Sequence, residues 1–299
     1  MRTTIPKPPD RDEWLAVRAP YIGASECAAL VGEHPFLTLA ELAVEKLTGA
    51  STRSDTSSMR RGRHLEAAVA SWWEEEHGIA LVEPAELYVY DDVLIATLDR
   101  LVVGTNIAVE IKTTNRFVHD LERSWYWQAQ TQMLAACLDQ VHVVVLDPSM
   151  ELKLFEIEPD AEDQALLVEA AKKFLHHVRA GELPPDVELT YRAASTLHQE
   201  VRQDVVELDD EVLRWCESLA TLQSRVTELH IDEDALKGMI AHRLGDAAEG
   251  THNGRTIVSW RSTTRHNVDI KRLRADHPTM AKEYSTATTF RTLRLKEQP

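Results

Sequence analysis

The sequence predicts an α/β fold in which a central mixed β-sheet is flanked by helices, followed by a helical spacer and a small α+β tail. Three observations carry this reading. Over residues 14–180, segments of helical periodicity and short β-type runs follow one another as helix, helix, several strands, helix, strand, helix. The run at 141–146, Val-His-Val-Val-Val-Leu, is rich in β-branched residues and too short for a helix, as a buried strand would be. Beyond residue 200 the pattern changes to a heptad repeat and then to a short basic segment.

The elements can be justified in order. Residues 1–13 are polar, carry Pro6, Pro8 and Pro9, and read as a loose lead-in. Helical pieces fill 14–49. Ser25 is placed to cap a short piece over 28–31, which Gly32 and Pro35 end. A second helix over 39–47 carries Leu39, Leu42, Ala43 and Leu47 and stops at Gly49. Residues 50–58 are Ser/Thr-rich and read as an exposed loop. Arg60, Arg61 and Arg63 lead into a helix over about 65–76, closed by His77-Gly78, so that Glu66 falls in its first turn. Strands are expected at 80–82, 87–90, 93–98 and 107–112, with a hairpin-like connection through Gly104 and Asn106. A helix over 125–138 precedes the strand at 141–146, and a last helix over 161–180 ends before Leu183-Pro184-Pro185. Together these elements define an expected first domain over 1–186.

The remainder divides in two. Leu208, Val212, Trp215, Leu219, Leu222, Val226 and Leu229 alternate spacings of four and three, an a/d seam. Leu236, Ile240 and Leu244 resume it beyond Asp232-Glu233-Asp234. We read 187–250 as a helical spacer folded back as an intramolecular hairpin at that acidic break. For 251–299 we expect a small basic α+β tail. There 250–254 is a turn and the alternating run 256–260 pairs with 291–295.

Composition limits the function classes. The 299 residues are 43% hydrophobic and 27% charged, enough for a sizeable core. Cys27, Cys137 and Cys216 are far apart and form no CxxC pair, which argues against a disulfide framework or a cysteine-ligated metal and for a reducing compartment. No apolar run reaches membrane-spanning length, and residues 1–9 lack the apolar core of a secretory signal. The expected location is therefore a reducing cytoplasm, with no membrane partner. The formal net charge of -16 is not that of a nucleic-acid binder at first sight. It is unevenly spread, however. Arg53, Arg60, Arg61 and Arg63 cluster near Glu66. Residues 200–250 hold 13 acidic and 5 basic residues, whereas 251–299 hold 10 basic and 4 acidic.

The sharpest chemical pattern lies between Glu66 and Gln128. Asp99 closes an apolar run, and Glu110-Ile111-Lys112 begins eleven positions later. On a strand, Glu110 and Lys112 face one way and Ile111 the other. If the two strands are neighbours, the carboxylates of Asp99 and Glu110 can converge on one divalent ion. Such oxygen donors suit Mg²⁺ or Mn²⁺ rather than zinc. A lysine beside that ion can orient a water and stabilise charge on a phosphorane. Alone the pattern is weak, because an E-x-K on a strand is commonly a solvated ion pair. Its neighbours strengthen it: Glu66 upstream, and Gln128 and Gln132 one helical turn apart on an otherwise apolar helix.

A family resemblance adds to this. The run Ile22-Gly23-Ala24-Ser25-Glu26-Cys27-Ala28-Ala29-Leu30-Val31-Gly32, with Pro35-Phe36 and 39–49 after it, resembles the opening block of the YqaJ-like phage recombinase and λ-exonuclease family. That family lies within the PD-(D/E)xK nuclease superfamily. Blocks at 60–66, 94–102, 110–113 and 126–146 resemble its later motifs in the same order. The resemblance covers about residues 14–180, and the ordered set is far more specific than any one block. At the C-terminal end Val258-Ser259-Trp260, Arg265, Val268-Asp269 and Leu273 resemble the tail of phage members.

The resemblance implies a PD-(D/E)xK, restriction-endonuclease-like core and a Mg²⁺-dependent deoxyribonuclease, with Mn²⁺ able to substitute. Carried over residue by residue, Asp99, Glu110 and the Ile111 carbonyl would bind the metal. Lys112 would position the attacking water. Glu66 would help to hold a metal or its water, and Gln128 would orient the lysine or the scissile phosphate. Arg18 and Ser25 are seven apart, like the arginine and serine that hold a terminal 5′-phosphate in λ-exonuclease-like enzymes. Amides after Ser25 would add to that anion site. The implied reaction starts at the 5′ end of linear duplex DNA and leaves a 3′ single strand for a single-strand annealing protein, with a homo-oligomeric ring as the implied assembly. One departure stands out: the family's Asp-Gly is Asp99-Arg100 here, so the turn after Asp99 must be rebuilt or Arg100 must point at DNA. A structure- or sequence-specific endonuclease on the same fold, a non-catalytic DNA-binding protein, and an unrelated protein with a chance E-x-K are the alternatives.

Overall fold

The chain divides into two units, Met1–Gln199 and Glu200–Pro299. The computed structural model describes residues 1–50, 56–185, 187–200, 204–286 and 291–296. Residues 51–55, with Arg53 of the arginine cluster and most of the Ser/Thr-rich loop, lie outside the described residues.

The first unit runs β1 (Arg2–Pro6), α1 (Arg11–Arg18), β2 (Ile22–Gly23), a 3-10 turn at Cys27–Val31, α2 (Leu39–Thr48), α3 (Ser57–His77), β3 (Leu81–Val82), β4 (Glu86–Tyr90), β5 (Leu94–Ala96), β6 (Arg100–Val102), β7 (Ile107–Thr113), α4 (Arg123–Ala136), β8 (Gln140–Leu146), β9 (Leu152–Ile157), α5 (Ala161–Arg179) and α6 (Tyr191–Leu197). Local chemistry sets the helix ends. Thr38 and Glu41 form a reciprocal capping box that starts α2, and Gly49 ends it in the left-handed region. Asp10 and Asp160 cap α1 and α5 in the same way, each accepting from two backbone amides.

Two mixed sheets form the centre. A five-stranded sheet has the order β3-β6-β7-β8-β9 and a four-stranded sheet the order β1-β4-β5-β2. Strands β7 and β8 pair in parallel over their whole lengths, while β6 and β9 flank them antiparallel. Val141, Val143, Val144 and Val145 of β8 are all fully buried, which explains the continuous apolar run: this strand has no solvent face. Ile111 turns away from its neighbours Glu110 and Lys112 into a cluster with Val69, Trp73, Val109 and Val144, so α3 is fixed against β7. Helix α4 is buried over nine successive residues, with Ala129 and Met133 packed against β8. This α/β arrangement, a central mixed sheet flanked by helices, is the one the sequence predicts.

Several expectations are corrected. Residues 2–6 form strand β1, antiparallel to β4, rather than a loose lead-in. It is an exposed edge strand tied down by the bond from Arg2 Nε to the Leu134 carbonyl, 2.9 Å, so it needs no apolar alternation. Helix α3 starts at Ser57, capped by Thr56, which puts Glu66 mid-helix and not in the first turn. The glycine at 62 does not delay the start, because helix-favouring Met59, Arg60 and Arg61 precede it. The expected strand at 93–98 ends at Ala96, and Asp99 stands just before β6 rather than at the end of β5. Ser25 does not cap the 3-10 turn, whose N-cap is Glu26. Strand β9 and helix α6 were not expected. The latter packs on α2 through Ala193, Ala40 and Val44.

The second unit holds α7 (Asp210–Leu244), β10 (Glu249–His252), β11 (Arg255–Ser259), α8 (Ile270–Asp276) and α9 (Pro278–Glu283). Helix α7 is one continuous rod of 35 residues, not a hairpin. The acidic stretch does not break it: Glu233 pairs one turn ahead with Lys237, 2.6 Å, and stays helical. Strand β11 pairs with β10 around a turn at Asn253-Gly254, instead of with 291–295, which form no strand. No helix among the described residues is long and apolar enough to cross a membrane.

Candidate active site

The site is built where β6, β7 and α4 meet. The antiparallel pairing of Arg100 with Val109 sets the preceding residue, Asp99, beside the middle of β7. There Asp99 Oδ2 accepts the Ile111 amide at 2.8 Å, which locks the carboxylate onto the strand that carries Glu110 and Lys112. The period of two then places those two side chains together: Lys112 Nζ donates to Glu110 Oε1 at 2.7 Å.

Helix α4 supplies the other wall. Gln128 and Gln132 lie one turn apart and both reach Glu110. Gln128 Nε2 donates to Glu110 Oε1 at 2.6 Å, and Gln132 Nε2 donates to Glu110 Oε2 at 2.6 Å. Lys112 Nζ also donates to Gln128 Oε1 at 2.9 Å. Glu110 is 4% exposed and would be costly to bury without these three donors. Lys112 is held fully charged. Burial pulls it down, but Glu110 and then Asp99 outweigh this, and its pKa lies above the ordinary lysine value. Asp99 behaves oppositely: burial first, then Glu110 and Glu66, push it well above the usual carboxylate range.

Glu66, from α3, faces this centre but is engaged. Arg100 Nη1 donates to Glu66 Oε1 at 2.9 Å and to the Asp99 carbonyl at 2.5 Å. The structure therefore brings Asp99, Glu110, Lys112 and Gln128 into one connected cluster, with Glu66 joined to it through Arg100. Sequence reading left Gln132 and Arg100 out of the site. The glutamine spacing was visible, and the Asp-Arg replacement marked Arg100, but neither revealed what the side chain would touch.

Arg18 lies beside the same centre. Its Nη1 donates to Thr97 Oγ1 at 2.9 Å, and its guanidinium stacks 4.3 Å over the Trp14 ring. The Thr97 carbonyl accepts Gln132 Nε2 at 3.1 Å, so Arg18, Thr97, Gln132 and Glu110 form one chain of contacts. Gly23 leaves the room for this: a Cβ there would stand 2.3 Å from Arg18 Nη2. Glu26 accepts the Gly23 amide at 2.8 Å and pairs with Lys46 at 2.8 Å. Ser25 is exposed in the turn that follows β2.

The donor set fits a hard divalent cation. Mutual repulsion among Asp99, Glu110 and Glu66 is what such an ion would relieve, and carboxylate and carbonyl oxygens are the ligands Mg²⁺ and Mn²⁺ take. Among the described residues no three Asp, Glu, His or Cys side chains close on one point as ligands. The residues that could hold such an ion are the two carboxylates Asp99 and Glu110. A cleft lined by Gly104, Asn106, Gln140 and Glu158 among others opens at the amino ends of β7 and β8, away from this chemistry.

An aspartate before one strand and an E-x-K on the next, on a mixed sheet with helices on its faces, is the PD-(D/E)xK arrangement. Within that class, residues 13–139 match the family model of the YqaJ-like viral recombinase domain. Along nearly the whole chain, the Uncharacterized protein YqaJ of Bacillus subtilis (strain 168) is 23% identical, covering 96% of this chain and 94% of its own. Among solved structures, the alkaline exonuclease LHK-Exo of Laribacter hongkongensis is 25% identical over 56% of this chain and 93% of its own, with a TM-score of 0.48. A phage-related exonuclease of Haemophilus somnus 129PT is 15% identical over 54% of this chain and 95% of its own, with a TM-score of 0.46.

Proposed function

We propose that this chain is a divalent-metal-dependent deoxyribonuclease that hydrolyses phosphodiester bonds from the 5′ end of linear duplex DNA, leaving 3′ single strands for recombination. The observation that carries the reading is Lys112. Its ammonium is held between Glu110 and Gln128, beside the Asp99 carboxylate, where a structural ion pair would need neither a second carboxylate nor the second glutamine on Glu110. The YqaJ-like match over 13–139 supports it.

Asp99, Glu110 and the Ile111 carbonyl would hold Mg²⁺, with Mn²⁺ able to replace it. The ion, when bound, would acidify a water and neutralise charge on the phosphate. Lys112 orients the attacking water and stabilises the negative charge that develops on the phosphate oxygens. Gln128 fixes the lysine, and Gln132 fixes Glu110, so neither must reorganise during reaction. Arg18 is the anion-binding residue for a terminal 5′-phosphate. It is three contacts from Glu110, through Thr97 and Gln132, and Ser25, exposed in the turn after β2, is the second phosphate residue of this reading. The ring-forming homo-oligomer and the single-strand annealing partner belong to this reading, as does a cytoplasmic location.

The test is cleavage of linear duplex DNA bearing 5′-phosphate or 5′-hydroxyl ends, with a closed circle alongside, in Mg²⁺ or EDTA. We expect Mg²⁺-dependent loss of linear DNA, faster with 5′-phosphate, and no loss with Lys112→Ala. Cutting of the circle would establish an endonuclease instead. Binding of DNA without cleavage of any substrate would make the chain a DNA-binding protein.

A further inference from the structure

Arg100 occupies a position where an extra cation has a defined electrostatic task. Its guanidinium bridges Glu66 Oε1 and the Asp99 carbonyl, and its side chain is only 13% exposed. The enclosed charges can be counted. With all three carboxylates ionised, as a bound cation would have them, Asp99, Glu110 and Glu66 carry three negative charges against the two positive charges of Lys112 and Arg100, which leaves one negative charge. One divalent ion then turns the centre positive by one, which matches a single phosphodiester. Without Arg100 the deficit would be two negative charges, and Glu66 would be free to ligate. A freed Glu66 carboxylate beside Asp99 would be available to a second divalent ion, as in centres that hold two. Uncompensated negative charge beside buried Asp99 and Glu110 is costly, which favours a second cation there.

We propose that Arg100 is a built-in cation that occupies Glu66 and stands in for a second divalent ion, leaving a one-metal centre at Asp99 and Glu110. The proposal rests on the nuclease reading and specifies its metal content. Arg100 acts here as a positioning residue: it holds Glu66 away from the ion and pins the Asp99 backbone. It also accounts for the Asp99-Arg100 sequence, because the side chain folds back onto the Asp99 carbonyl instead of projecting outward. In this arrangement Glu66 anchors the arginine and is not a ligand.

The experiment counts Mn²⁺ bound per chain, by calorimetric titration and by electron paramagnetic resonance of free Mn²⁺, on the full-length protein without DNA. We expect one ion for the unsubstituted protein, two for Arg100→Gly, one for Arg100→Lys, and one for the double variant Arg100→Gly/Glu66→Gln. The double variant separates ligation by the freed Glu66 from a general loosening of the site. The lysine variant keeps the charge if the glycine variant fails to fold, which circular dichroism reports. Two ions in the unsubstituted protein would overturn the proposal, because the metal would then displace Arg100 unaided. One ion in Arg100→Gly would overturn it as well. No ion in any of the four proteins would instead sink the metal-dependent nuclease reading beneath it.

Discussion

Helices α4 and α7 invert the usual relation between polarity and burial. In α4, Gln130, Thr131 and Gln132 are buried to 1% exposure or less, and each has a named partner. Gln130 bridges to the Glu158 carbonyl and the Asp160 amide, Thr131 to its own helix, and Gln132 to Glu110 and Thr97. In α7, Leu222 is 55% exposed, Leu229 63% and Trp215 61%, on a seam with heptad spacing. What distinguishes them is the surroundings each side chain meets. A glutamine is buried where donors and acceptors have been set out for it, and a leucine stays in solvent where its unit offers no facing surface. The polar helix belongs to the part of the molecule with the chemistry: Gln128 and Gln132 hold Glu110, while Gln130 ties the helix to the segment before α5.

This contrast is broken most severely by removing the charge at its centre. Lys112→Ala strips Glu110 of the one cation paired with it among the described residues and leaves it with two neutral amides. Cleavage should fall on the order of 10³-fold, as for loss of a group that stabilises transition-state charge. The fold should lose about 3 kcal/mol, since a buried carboxylate loses its partner. Activity assays and urea unfolding read the two effects. Full activity in this variant would remove Lys112 from the chemistry altogether. The next largest effect tests burial without chemistry. Leu42→Ala on α2, at 0% exposure in the main core cluster, should cost about 3 kcal/mol. The same truncation at Leu222 should cost no more than about 0.5 kcal/mol. Equal losses at both sites would mean that the α7 seam is covered in solution.

Particular residues show how much of this could be read beforehand. The E-x-K pair and the glycines that stop helices, Gly49 and Gly78, are local signals and fall on the elements the sequence predicts; Asp99 meets the E-x-K strand as expected, though from just before β6 and not from the end of β5. The pairing of β1 with β4 links residues more than 80 positions apart and leaves no periodic trace in an exposed edge strand. Strand β9 left only a short one, Phe155 and Ile157 turned inward against exposed Leu154 and Glu156, beside the stronger run of β8. The role of Gln132 was not legible, because glutamines at i and i+4 look alike whether they face water or a carboxylate. The bond from Arg100 to Glu66 needs the strand-to-helix geometry across 34 residues. The start of α3 was hidden in the Ser/Thr-rich stretch, which reads as a loop although Thr56 caps the helix from Ser57.

A smaller effect concerns Asp99 and the pH. Burial first, then Glu110 and Glu66, hold its carboxyl above the usual range, so the metal-free folded protein keeps that proton to higher pH than the unfolded chain does. Its stabilising contribution is complete below the unfolded value and is lost as pH rises through the folded one. Asp99→Asn removes the ionisation while an amide oxygen can still accept the Ile111 amide. In EDTA the variant should therefore melt above the unsubstituted protein near about pH 7. The two should converge below about pH 4, the ordinary aspartate range. Added Mg²⁺ should raise the melting temperature of the unsubstituted protein alone, because only it retains both carboxylates. A variant that melts lower in EDTA at every pH would show that Asp99 serves the fold as an anion and not as a metal ligand.

The smallest effect is the sharpest probe of the exposed helix. Gly238 lies inside α7, and a Cβ built on it meets nothing within 4 Å. Counting from the seam residues Leu236 and Ile240, it sits on the outer side of the rod, away from the heptad stripe. An alanine there restricts the unfolded chain and gains helix propensity, so Gly238→Ala should stabilise α7 by about 0.5–1 kcal/mol. Slower hydrogen exchange of the amides around 234–242 would register that gain. Gly62 in α3 makes the matched control: its Cβ would come 3.7 Å from Thr113 Oγ1, an ordinary contact against β7, so alanine is tolerated there with a smaller gain. Faster exchange in Gly238→Ala would mean that another surface lies against the outer side of α7 as closely as a glycine permits. The helix would then be enclosed on the side where the described unit leaves it open, and its exposed apolar seam would have to be reread as one face of a larger packing.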